Sequence, residues 1–498
     1  MNLAERVEYW ARWRPEAVAL REDDADVTWK ELGERVARVA GGLAAHGVRP
    51  GDRVGVLSAN SVEWCVLALA TLHRGAIVVP LNIRLAAPEL GLILGHSGCT
   101  VVAYDAGLAP LFAAAPDGGS PRVRISLDGD ADADVTMAEL AATEPTEIVE
   151  RDDDDTAVLG YTSGTTGLPK GVMLTHGNLA ACALQTALAE GSSHERRTLL
   201  CIPLAFTGGI VNNFVSTFVV GGTLVLQKTF APDDVVATIE RERITTWFAV
   251  PIMWQAVAAS PLFAAADLSS LTTAMCGGAP VPKALLAAFH EKQVDVRQAY
   301  GLTEATGSVC LLPAELAWRT EAAGQPNIHT RVRLVGDDGA EVPHGEVGEI
   351  TVKGPQVMAG YWEDPKATAD AVRDGWLHTG DLARWTEDGL LQVVDRKKSM
   401  FISGGLNVYP AEIERVVDNL PEVEECCALG LAHERWGEAC AVVVRPKNGH
   451  VDEEALVAHC REHLADYKVP RTVILTQDPL PRGMSGKVLR NEVQDVYG

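Results

Sequence analysis

The chain has 498 residues, 47% hydrophobic and 22% charged, an ordinary globular balance at a length that calls for two or three cores instead of one. A formal charge of −24 excludes sequence-independent binding to nucleic acid or an anionic lipid surface, since both need a basic face. Ten cysteines without a CxxC pair, two of them adjacent at Cys426 and Cys427, argue against a disulfide framework or a zinc site and fit reduced thiols in a cytosol.

The first residues, MNLAERVEYWARWRPEAV, place charges among apolar residues at helical spacing, which predicts a helix and not an export signal. From Val27 a strand-like VTW precedes a helix over KELGERVARVAGGLAAHG, and DRVGVLSAN reads as a strand entering a polar turn. GAIVVPLN, CTVVAYD and VRISL continue the alternation expected of parallel strands covered by helices. The acidic run from Asp128 to Asp155 reads as a solvated connection.

YTSGTTGLPKG, residues 161–171, follows the strand-like TAVLGY and precedes VMLTHGNLAACAL, read as a helix. Glycine turns that bare backbone N–H groups, short hydroxyls and one lysine form a cradle for phosphate oxygens. Lys170 stands between Pro169 and Gly171, so the stretch is not the usual P-loop, in which Gly-Lys-Ser/Thr opens a helix. A plain flexible linker would not carry apolar runs on both sides.

The most apolar stretch, GGIVNNFVSTFVVGGTLVLQK, is broken by Asn212-Asn213 and Gly221-Gly222, which predicts a core helix, a turn and a strand, not a membrane span. GGTLVLQ, TTWFAVP, LTTAMCGGAPVP and VRQAYGLTEATG extend the α/β pattern. From about Arg331 short strands and turns predict a small all-β subdomain, with Asp337-Asp338-Gly339 as a hairpin turn. The last hundred residues carry their own apolar pattern. The expected division is 1–395 and 396–498, with a hinge at Asp395 to Lys398.

YTSGTTGLPKG, YGLTE (300–304), WLHTGD (376–381), DRKKSMFISGGLNVYPAEIE (395–414) and PRGMSGKVLR (481–490) occur in this order. Together they make the chain resemble, over essentially its whole length, the adenylate-forming superfamily, and within it the bacterial acyl-CoA synthetases. The resemblance implies a large N-terminal domain of two stacked αβαβα-type subdomains plus a small β-barrel subdomain, and a small mobile α+β C-terminal domain. It implies ATP, Mg²⁺ and coenzyme A as cofactors, a homodimer being left open. The reaction it implies has two halves: a carboxylate attacks the α-phosphate of ATP, and the thiol of coenzyme A then displaces AMP from the acyl-adenylate. Bringing two anions together requires cations and donors.

By this resemblance Thr162, Ser163, Gly164, Thr165, Thr166 and Lys170 grip the β- and γ-phosphates. Glu304 is the Mg²⁺ ligand, a hard oxygen donor, with Thr303 as a phosphate contact beside it. Gly277, Gly278, Ala279, Tyr300 and Gly301 form the adenine slot. Asp381 accepts the ribose hydroxyls and Arg396 seconds it. Lys487 reaches from the small domain to bridge carboxylate and α-phosphate, and with Thr166 and Glu304 completes the catalytic set. Lys398 is the hinge residue, and Gly404 and Gly405 line the pantetheine tunnel.

One departure stands out. Where the family commonly has Pro-Leu-Phe-His, this chain has PLAFTGG, so Phe206 replaces the histidine and cannot donate a hydrogen bond. Phe206 either adapts the pocket to an apolar acid or weakens adenylation and leaves a specialist in thioester formation. The acyl pocket is expected from Phe206, Gly208, Trp254, Met275, Gly277, Leu302 and Gly307, with no cation for a second carboxylate. Its implied guest is a hydrophobic monoacid. A loader of carrier-protein phosphopantetheine, luciferase-like oxidation, a non-catalytic nucleotide binder and a simple ATPase are the other readings. The six residues Thr166, Lys170, Glu304, Asp381, Arg396 and Lys487 speak against the non-catalytic one.

Overall fold

The alternating pattern is realised as three sheets in a large N-terminal domain and a fourth in a smaller C-terminal one. The computed structural model describes residues 2–116, 121–129, 132–163, 169–278, 281, 283–336, 338–396, 401–408, 410–447, 449–481, 488 and 490–498. In the nine-stranded sheet, Val296–Tyr300, Thr273–Gly277, Thr246–Ala249, Arg197–Leu200, Thr223–Leu226 and Val18–Glu22 run parallel in that spatial order. In the eight-stranded sheet, Thr156–Ser163, Ile77–Leu81, Arg53–Leu57, Val101–Tyr104 and Val123–Ser126 do the same.

Helix Val62–His73 explains how the two sheets share one core. Every residue in it except Glu63 is buried, and it packs on Val18–Glu22 of one sheet and on Arg53–Leu57 and Ile77–Leu81 of the other. A helix apolar all round must be covered all round. Thr28 and Glu31 close a capping box on helix Trp29–Ala45, which fixes where that helix starts.

The third sheet is antiparallel, built from Arg331–Val335, Gly348–Lys353, Trp376–Trp385, Val372–Arg373 and Leu391–Arg396. The fourth carries Leu406–Val408, Phe401–Ser403, Gly437–Pro446, Val423–His433 and Thr472–Leu475, with helices Pro410–Val417 and Glu453–His463 in the same core. No helix among the described residues is long and apolar enough to cross a membrane.

The segment after the phosphate loop differs from expectation. Pro169–Thr175 is a strand, antiparallel to Thr156–Ser163, and the helix starts only at His176, capped by Thr175. Met173 is half-buried between buried Val172 and Leu174, and residue-by-residue pairing with Thr156–Ser163 fixes the segment as a strand. Residues 164–168 are thus flanked by two paired strands, and among the described residues the next helix opens only at His176.

Candidate active site

Parallel strands from both large sheets end at one cavity of about 810 Å³. Clefts at the carboxyl ends of such strands are the usual sites of α/β folds, because the loops that follow are free to carry chemistry. Thr162 and Pro169 come from the hairpin, Phe206, Thr207, Gly208, Ile210 and Asn212 from the segment after Arg197–Leu200, and Gly277 and Gly278 from the end of Thr273–Gly277. Tyr300 to Glu304, Gly307 and Ser308 come from the end of Val296–Tyr300, and Gly404, Gly405 and Trp436 from the C-terminal domain.

The sequence around Glu304 folds back on itself. After Tyr300 a tight turn, Thr303–Ala305, is followed by Thr306 at φ +56° and Gly307 at φ +105°. A Cβ on Gly301 would fall 1.6 Å from the Gly307 carbonyl oxygen, so only glycine allows the return. Thr306 is held there by its hydroxyl, which donates to the Gln356 carbonyl at 2.6 Å. The turn presents Thr303, whose Oγ1 accepts from Thr207 at 3.0 Å, and Glu304, whose Oε1 accepts from the Tyr361 hydroxyl at 3.0 Å.

Tyr361 links two expected site residues. Its ring lies under Lys170, with Nζ 4.7 Å from the centroid, and Lys170 in turn faces Thr162 across the hairpin. One aromatic residue thus holds the hairpin's cation by its π-face and the carboxylate by its hydroxyl. At the adenosine side Tyr300 donates to Asp381 Oδ2 at 2.7 Å. Asp381 is 3% exposed and lies behind Tyr300, opposite Arg396 in the strand register.

The acyl side is framed by a wide π-helical segment, Gly208–Val215, whose looser winding is bridged by Asn213 Nδ2 donating to the Gly208 carbonyl at 2.9 Å. Phe206 and Phe248 form walls; the Gly208 Cα side and Gly277 both abut the Phe248 ring. Two expected lining residues do not line the cavity. Trp254 is fully buried behind the wall, its ring tilted 47° against Trp247 with centroids 4.1 Å apart, and donates Nε1 to the Met275 carbonyl at 3.1 Å. Met275, 3% exposed, also lies behind the wall; the strand borders the cavity only at its end, through Gly277 and the Gly278 that follows.

At the mouth contributed by the C-terminal domain, Gly405 has φ +77°, and a Cβ there would meet Val250 Cγ2 at 2.8 Å. Glycine is what lets this loop lie against the N-terminal domain. Gly164, Thr165, Thr166, Ala279, Lys398 and Lys487 lie outside the described residues, as do the side chains of Ser163 and Arg396. Sequence reasoning missed Tyr361, Phe248 and Trp436. Trp436 alone had a signal, an aromatic beside Arg435 just before a glycine turn.

All ten cysteines are free and buried. Cys201 lies at the cavity wall, its Sγ accepting from Trp247 Nε1 at 3.3 Å, and burial pushes its thiol up to about 12. Burial raises the other nine as well.

Residues 7–362 match the AMP-binding enzyme family and residues 412–487 the AMP-binding enzyme C-terminal domain. The chain is 44% identical to a feruloyl-CoA synthase from Amycolatopsis sp, covering 98% of this chain and 97% of that one. It is 38% identical to a long-chain-fatty-acid–CoA ligase from Mycobacterium tuberculosis, covering 95% and 94%. Among solved structures it is similar to the o-succinylbenzoate CoA synthetase of Bacillus subtilis. A double mutant of that enzyme bound with its product analogue OSB-NCoA superimposes with a TM-score of 0.89, at 33% identity and 98% coverage of both chains. The same enzyme in complex with the acyl-adenylate intermediate OSB-AMP, again at 33% identity and 98% coverage of both, gives 0.72.

Proposed function

This chain belongs to the AMP-binding enzyme family as an AMP-forming acid:CoA ligase that uses ATP and coenzyme A, and from that premise we propose that its acid is a hydrophobic monocarboxylate. The observation that carries the proposal is the acyl side of the cavity. Phe206, Thr207, Gly208, Ile210, Asn212, Phe248, Leu302, Gly307 and Ser308 offer no lysine or arginine to receive a second carboxylate, and the cavity's Arg84, Lys228, Arg435 and Lys468 come from other segments. The relatives named for feruloyl and long-chain acyl groups support an acid of this class.

In the first half-reaction the acid's carboxylate oxygen attacks the α-phosphorus and pyrophosphate leaves. We assign Thr162, Ser163, Gly164, Thr165, Thr166 and Lys170 to the β- and γ-phosphates, and Gly277, Gly278, Ala279, Tyr300 and Gly301 to adenine. Asp381, seconded by Arg396, takes the ribose hydroxyls. Lys487 holds the two anions together, where a preorganised cation is worth most. The Glu304 carboxylate, oriented by Tyr361 and next to the Thr303 hydroxyl, is a hard oxygen set that fits Mg²⁺, which would offset phosphate charge when bound. In the second half-reaction the thiol sulfur attacks the acyl carbon, loses its proton, and AMP leaves. The thiol enters past Gly404, Gly405 and Trp436.

We place the domain boundary at 395/396, with Lys398 in the hinge on which 396–498 turns between the halves, and the enzyme in the cytoplasm, in keeping with its ten free thiols. The test is a panel of acids with ATP and coenzyme A, following pyrophosphate, AMP and thioester separately. The panel runs from ferulic and cinnamic acids through long-chain fatty acids to dicarboxylates. Thioester from the hydrophobic monoacids is expected; turnover confined to dicarboxylates or small polar acids overturns the assignment.

A further inference from the structure

The two domains are joined by a charge pair that lies in the interior. Lys468 Nζ of the C-terminal domain meets Glu89 Oε1 of the N-terminal domain at 2.9 Å, with side chains only 3% and 7% exposed. Glu89 belongs to helix Ala87–Ser97, and its second oxygen accepts from the Ala86 N–H at 2.8 Å, so both carboxylate oxygens are engaged. The carboxylate stands in the first turn of that helix, where the dipole favours negative charge, and Lys468 supplies its counterion. Lys468 closes the turn Asp466–Lys468, just after helix Glu453–His463, which itself packs on Ala87–Ser97. Glu89, Tyr467, Lys468, Trp436 and Gly405 all border the cavity.

We propose that Glu89 and Lys468 are positioning residues for thioester formation: they select the domain arrangement in which Gly405 rests on Val250 and the coenzyme A mouth is assembled. The proposal rests on the two-half reaction with a turning C-terminal domain. A buried charge left without its counterion costs more than the pair itself contributes, so the docked arrangement depends on both members being present. When the C-terminal domain turns to deliver Lys487, the partners part and each is hydrated, so losing one charge is felt chiefly in the docked arrangement. The superposition agrees in direction: this chain is nearer the product-analogue complex of the Bacillus enzyme than its adenylate complex.

The full-length enzyme tests this with Lys468→Met, Glu89→Gln, which keeps a cap acceptor, and the double variant. Acid-dependent pyrophosphate exchange reads the first half-reaction, and thioester formation from supplied acyl-adenylate and coenzyme A reads the second. Each single variant is expected to lose at least tenfold in the second and to stay within twofold in the first, and the double variant to recover most of the loss. Equal losses in both halves, no loss, or a double variant no better than the singles overturns the proposal. A readout that needs no acid separates it from the substrate assignment. Paired fluorophores on cysteines introduced at exposed Leu188 and Val496 report the domain distance. Lys468→Met should shift that distance away from the wild-type value and the double variant should restore it; an unchanged distance for Lys468→Met refutes the role of the pair.

Discussion

Replacing Tyr361 by phenylalanine removes one oxygen and separates the two tasks of that side chain. The ring stays under Lys170, because the backbone of Tyr361 is held by pairing with Val172 and by its N–H donating to Thr368 Oγ1 at 2.8 Å. What is lost is the donor 3.0 Å from Glu304 Oε1. A hydrogen bond to a charged acceptor is worth about 1.5–3 kcal/mol, which corresponds to roughly 10- to 150-fold in rate if it is needed to orient the carboxylate in the transition state. The expected result is a loss of that size in pyrophosphate exchange, a raised Mg²⁺ requirement, and thioester formation from supplied acyl-adenylate close to wild type. Exchange within twofold of wild type, or equal loss in both halves, would show that Tyr361 does not set the geometry of Glu304.

Four further outcomes are expected. Gly405→Val places branched carbon where Val250 already sits, and at a φ valine rarely adopts, so thioester formation should fall at least 100-fold with pyrophosphate exchange retained; equal effects on both would refute a tunnel role. Lys487→Ala should abolish adenylation yet still pass supplied acyl-adenylate to coenzyme A, checked by the same paired assays. Wild-type enzyme should exchange pyrophosphate briskly with its acid, and Phe206→His should alter KM for the acid more than kcat, which initial-rate kinetics decides. His73 and His176 are buried with neither ring nitrogen hydrogen-bonded, and burial lowers both from the usual 6.5 to about 4. The unfolded chain therefore binds more protons between these values, and stability, complete above pH 6.5, is lost as pH falls toward 4. The loss is on the order of 3 kcal/mol per histidine, so urea midpoints at pH 7.5 and 5 should differ, and less so in His176→Asn.

How much of the fold is legible in the sequence follows the range over which each signal acts. Glycine positions, capping residues and hydrophobic period are local, so the strands ending at Gly277 and Tyr300 and the turn that carries Glu304 were legible as short strings. Depth within a wall is not local. Trp254 and Met275 share the apolar character of a pocket lining, but which layer Trp254 occupies depends on Trp247 and Phe289, which meet its ring tilted and edge-on. VMLT reads as helix from the sequence because a short apolar run carries no decisive period; its pairing with Thr156–Ser163 makes it a strand. Tyr361 and Glu304 lie 57 positions apart and Glu89 and Lys468 lie 379 apart, so nothing in either string announces the other.

The buried, proton-bearing cysteines have a bearing on chemistry that none of them performs. A mixed anhydride of a carboxylic acid and AMP will acylate any thiolate it meets, and this enzyme must hold one while waiting for its acceptor. Cys201 stands at the wall of the very chamber where that species forms, yet it is kept as SH and turned toward Trp247. The incoming cofactor is thereby left without a rival nucleophile of its own kind, and the protein is spared from becoming a substrate of its own intermediate.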